Sequence, residues 1–88
     1  MIDYGNAENM TIEGENIVHY IIADGERVRC IIPREVIEDK LRLSGTLEET
    51  FQSAKDNFDE ITDILMHKIS IGAREQDGSL MLYLHEWK

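Results

Sequence analysis

The chain has 88 residues, 42% of them hydrophobic and 31% charged, which suits one folded domain with a modest core. Eighteen acidic side chains against nine basic ones give a net charge of −9, which opposes phosphate backbones and anionic lipid surfaces, so neither nucleic acid nor a membrane is an expected partner. No apolar run approaches the ~18 residues of a membrane span, the start Met1-Ile2-Asp3-Tyr4 lacks the pattern of a signal peptide, and the lone Cys30 excludes an internal disulfide; together these point to the cytoplasm.

Residues 1–15 are rich in Asn, Asp, Glu and Gly and read as an arm, with room for an edge strand near Met10–Glu13. Ile17–Ile22 is β-branched and aromatic, so it predicts a strand. Asp24-Gly25 is a strong hairpin-turn signal because both positions accept positive φ, and Arg27–Ile32 returns as the second strand. Pro33 stops that strand and suits the first turn of a helix. Val36, Ile37, Leu41 and Leu43 give a short amphipathic helix that Ser44-Gly45 ends.

Thr46 with Glu49 forms a capping-box pattern for a second helix. Leu47, Phe51, Ala54, Phe58, Ile61, Leu65 and Ile69 recur at spacings of three and four, predicting one long helix that ends at Gly72. At 1.5 Å per residue such a helix would be about 37 Å long and would slightly overrun a domain roughly 30 Å across. It must kink, end early or project. A rival parsing stops it near Met66 and makes Lys68–Ala73 a strand; Ile69 continues the helical stripe and favours an end near Ile71. Leu80–His85 alternates Leu80, Leu82, Leu84 against Met81, Tyr83, His85 and predicts a last strand.

These elements assemble as an α+β two-layer sandwich, an antiparallel sheet of the hairpin plus the last strand packed by a short and a long helix. The expected inner face carries Val18, Tyr20 and Ile22, then Val28, Cys30 and Ile32, then the three leucines. The expected outer face carries Ile17, His19, Ile21, Arg27, Arg29, Ile31, Met81, Tyr83 and His85. That outer face is apolar enough to suggest burial against a second copy, with His19, Ile21, Arg29, Ile31, Met81, Tyr83 and His85 as its interface.

The layout resembles a family of small bacterial proteins known as domain of unknown function fourteen-eighty-eight. The resemblance runs through Asp24-Gly25-Glu26-Arg27-Val28-Arg29-Cys30-Ile31-Ile32, Glu35 to Leu41, Asn57-Phe58-Asp59-Glu60-Ile61, Gly72 and Asp77-Gly78-Ser79-Leu80. It implies a sheet with two helices and carries no assigned chemistry. Many of those relatives have Arg after the asparagine of the long helix; this chain has Phe58, so no role of that Arg transfers.

Few residues suggest chemistry. Asp56, Asp59, Glu60 and Asp63, with His67 beyond, line the polar side of the long helix and offer an acidic face to a basic protein partner, although such a stripe is ordinarily a solvated surface. Like charges at i and i+4 cost a helix a little, so their presence needs a reason. His19, His85 and Cys30 lack the paired spacing of a zinc site. Cys30 and His19 are expected on opposite faces, which argues against a Cys–His nucleophile. Trp87 reads as the side chain that pins the end of the chain. No catalytic, metal or cofactor motif stands out, and the expected role is a non-enzymatic interaction domain, self-associating through the outer sheet face.

Overall fold

A computed structural model describes residues 1–87. Two short strands, β1 (Ile2–Asp3) and β2 (Thr11–Glu13), precede the hairpin of β3 (Asn16–Ala23) and β4 (Glu26–Pro33). Three helices follow, α1 (Arg34–Leu41), α2 (Leu47–Asp56) and α3 (Phe58–Ser70), then a short β5 (Leu80–Met81) and a closing 3-10 turn (Leu84–Glu86). The α+β two-layer architecture is as expected, with additions to the sheet. The order is β1-β3-β4-β5, and β2 joins β3 on the edge that β1 also uses. All pairs are antiparallel except β4 with β5, which is parallel.

The hairpin turn works as its residues dictate. Asp24 and Gly25 both take positive φ, 52° and 83°, so Ala23 pairs with Glu26 and every residue up the ladder follows from that. His19 lies opposite Cys30, Ile21 opposite Val28 and Ile17 opposite Ile32. Directly paired residues share a face. The inner face is therefore Ile17, His19, Ile21, Val28, Cys30 and Ile32, and the parity expected for β3 is reversed. With a two-residue turn an even position in β4 must sit beside an odd position in β3, and Val28 cannot share a face with Ile22. Ile17, His19 and Ile21 are fully buried; on the other face Val18 is buried too, but Tyr20 is half-buried and Ile22 is 46% exposed.

The long helix is two. Asn57 interrupts it with φ −108° and ψ 23°, and its side-chain amide donates to Ser53 O at 2.8 Å, competing with the helical ladder. The apolar stripe survives the break, with Ala54, Phe58, Ile61 and Leu65 all in the core beside Val36 and Ile37. The break leaves helices of 10 and 13 residues, each well short of the molecule's 37 Å long axis, in a domain with a radius of gyration of 12.2 Å. It also explains the run of acids: Asp59 and Glu60 stand in the first turn of α3, at the positive end of its dipole. α3 ends where the stripe said, not at Met66. Gly72 at φ 71° lets Ala73 N–H reach Lys68 O (2.9 Å) and Gly72 N–H reach Ile69 O (3.2 Å), a double C-terminal cap.

The last strand is shorter than the alternation implied. Leu82 N–H still donates to Ile31 O at 2.9 Å, but Glu86 then accepts the Tyr83 N–H at 2.9 Å and curls the chain. Leu84 consequently leaves the leucine face and is 43% exposed.

Candidate functional site

Of the seven residues expected at an outer-face interface, two change sides. His19 and Ile21 belong to the core. Arg29, Ile31 and Met81 remain on the outer face, with Ile31 directly beside Met81 on β5. Tyr83 and His85 lie beyond the strand, where their rings stack at 5.8 Å and 16°. Tyr20 and Ile22 join the face in place of the two that left. No helix packs on this side. Arg27 lies over the Tyr20 ring at 3.8 Å from its centroid, and Arg29 bridges to Glu13 on β2 at 2.6 Å. The bond to Glu13 is the main cause that holds the Arg29 guanidinium above its usual range.

His19 and Cys30 are neighbours across the hairpin, contrary to the opposite-face expectation. They still make no nucleophile. Burial is the main cause that pushes the Cys30 thiol up to about 12, and the thiol donates weakly to Val28 O at 3.7 Å. His19 Nε2 sits 2.6 Å from Tyr4 O, so that nitrogen is the donor, since a carbonyl can only accept. Its ring meets Phe58 edge-on at 5.2 Å, and its Nδ1 has no hydrogen-bond partner among the described residues. The imidazole thus ties the N-terminal arm to the core.

The four acids of the expected acidic face separate at the helix break. Asp56 closes α2 and accepts from Gln52 at 3.0 Å. Asp59, Glu60 and Asp63 are exposed on α3, and Glu60 accepts the Trp87 indole N–H at 3.0 Å. Trp87, 4% exposed, is bonded in this way to α3.

Sequence reasoning missed the groove that this docking creates. Between α3 and the closing turn lies a hollow of about 470 Å³, with Asp63, Ile64, His67 and Ile71 on the helix side and His85 and Glu86 opposite. Its wall is fixed by Lys68, 4% exposed, which bonds Glu86 at 2.6 Å and lies 4.9 Å from the Tyr83 ring centroid. Burial pushes the Glu86 carboxyl up, but the Lys68 ammonium and the Tyr83 N–H outweigh it and leave the carboxyl below its usual range. Lys68 and Glu86 are 18 residues apart, and no local pattern announces the pair.

Among the described residues, no group of three or more His, Cys, Asp and Glu side chains is placed to hold a metal ion, and no helix is long and apolar enough to cross a membrane. The chain's fold is similar to that of a crystal structure of a protein of unknown function from the DUF1488 family of Shewanella loihica PV-4. The two agree with a TM-score of 0.77 at 17% identity, over 85% of this chain and 86% of that one. The fold is shared. It is also the family that the turn glycines and strand pattern resemble. No family model and no curated protein matches the chain.

Proposed function

We propose that this chain is a non-enzymatic, cytoplasmic protein-interaction domain that self-associates through the open face of its sheet. The observation that carries the reading is the strip of Tyr20, Ile22, Ile31 and Met81, all at least partly exposed on the sheet face opposite the helices, where Val18 is the one β3 side chain fully buried. Charge favours a second copy there. Two molecules of net charge −9 meet with less repulsion where each presents Arg27 and where Glu13 is balanced by Arg29, and this face does so. Sedimentation equilibrium tests it: the chain should dimerise, more tightly at higher salt as repulsion is screened, and Ile31→Lys should leave a folded monomer. A monomer at every concentration and salt would sink the reading.

A second reading, a basic protein partner on the acidic side of α3, is favoured by the position of Asp63. Its carboxylate is exposed at the mouth of a partly apolar groove, where a cation brought by a partner has both charge and surface to meet.

A further inference from the structure

The groove between α3 and the closing turn has a shape and charge that narrow the choice of occupant. It is continuous with a second hollow of about 330 Å³ that shares Asp63, Ile64 and Glu86 and adds Glu60 and Trp87. The combined trough follows α3, whose 13 residues span about 20 Å. Ile64 and Ile71, one heptad apart, give it an apolar floor, and Ile71 is 63% exposed. Glu60 and Asp63 form an acidic rim, while the cation in the wall, Lys68, is already spent on Glu86. The wall does not need a ligand to form: the Lys68–Glu86 bond, the Tyr83 cap and the Trp87–Glu60 bond hold it.

We infer that this trough seats a basic amphipathic helix of a partner protein, its apolar edge on Ile64 and Ile71 and its cations facing Glu60 and Asp63. An anionic ligand meets Glu60 and Asp63 on the helix side and finds Lys68 already paired with Glu86 on the other. A second copy is a poor occupant, because it carries the same net charge of −9 and four of its nine cations, Arg29, Arg34, Lys68 and Arg74, are already paired with a carboxylate of their own chain. The inference rests on the second reading above and is independent of self-association through the sheet.

The probe is a synthetic Lys/Leu amphipathic helix of about 14 residues, matched to the length of α3. It is titrated into the intact chain and followed by Trp87 fluorescence and by amide NMR shifts. Shifts should concentrate at Asp63, Ile64, His67, Ile71 and His85, and binding should weaken with salt. Asp63→Lys should weaken it by at least about tenfold and Ile71→Ser by several-fold, while Glu48→Lys, the same charge change on α2, should matter about twofold or less. Asp63, Ile71 and Glu48 are all exposed, so the three variants should fold, as circular dichroism would verify. Equal losses from Glu48→Lys and Asp63→Lys would overturn the inference, leaving only attraction to an acidic molecule. Shifts confined to Asp56 and Asp59 would overturn the groove but keep a basic partner; no binding at low salt would overturn both. The same shifts produced by concentrating the chain alone would give the groove to a second copy and overturn the assignment to a foreign helix.

Discussion

The two faces of the β3–β4 hairpin are built from similar residues and do opposite jobs. Ile17, His19 and Ile21 alternate with Val18, Tyr20 and Ile22, so apolar content alone does not say which set points inward. The turn decides. Asp24-Gly25 makes a two-residue connection, Ala23 meets Glu26, and the face that holds Val28, Cys30 and Ile32 must take the odd residues of β3. The inner face is then closed by α1, α2 and α3. On the outer one Val18 is buried, but Arg27 lies over Tyr20, Arg29 reaches Glu13, and Tyr20 and Ile22 keep surface in solvent. One face carries stability and the other is left for contact.

Substitution at neighbouring positions breaks this comparison most sharply. Ile21→Lys should cost more than about 4 kcal/mol and leave the chain unfolded at 25 °C, because it buries an unpaired ammonium in the core. Ile22→Lys, one residue on, should stay folded with an unfolding midpoint near that of the parent; urea denaturation followed by Trp87 fluorescence reads both. Next in size is His19→Ala. It removes the bond to Tyr4 O and the contact with Phe58, and should cost about 3 kcal/mol while exposing the amides of residues 1–10 to faster hydrogen exchange.

The Lys68–Glu86 pair anchors the closing turn to the helical layer and should respond next. Glu86→Gln leaves a buried ammonium without its counter-charge and should cost about 2 kcal/mol. Because the folded Glu86 carboxyl lies below its usual 4.5, its contribution is complete above that pH and is lost as the pH falls through the folded value. Acid should therefore release the turn, seen as a change in Trp87 fluorescence at a pH below 4.5 that Glu86→Gln lacks. The smallest effect belongs to the open face: Arg29→Met removes an exposed bridge to Glu13 and should move Tm by no more than ~3 °C.

Much of the fold was legible in the residues. The hairpin turn, the cap at Thr46, which accepts the Glu49 N–H at 3.2 Å, the stripe from Phe51 to Ile69 and the double cap at Gly72 are local patterns with local causes. The parity of β3 was legible too, by counting across the turn, yet composition alone put His19 and Ile21 on the wrong side. The break at Asn57 was less accessible, since one asparagine in a strong stripe is ordinarily tolerated; the clue was a helix too long for its domain, with acids at Asp59 and Glu60 suited to a helix start. The parallel docking of Leu80–Met81 on β4 and the pairing of Lys68 with Glu86 are long-range outcomes of packing, and no spacing encodes them. For that reason the acidic stripe looked like a single face in sequence, and the groove beside it had no signature.

Self-association through the sheet is decided by which isoleucines become covered when copies of the chain meet. Methyl relaxation by a soluble paramagnetic probe, recorded from dilute to millimolar protein, measures that residue by residue. Ile17 and Ile21 should be shielded throughout. Ile22, Ile31 and the Met81 methyl should lose accessibility as concentration rises, with Ile71 staying exposed. Unchanged exposure of Ile22 and Ile31 at the highest concentration, or probe access to Ile21 in the folded chain, would contradict it.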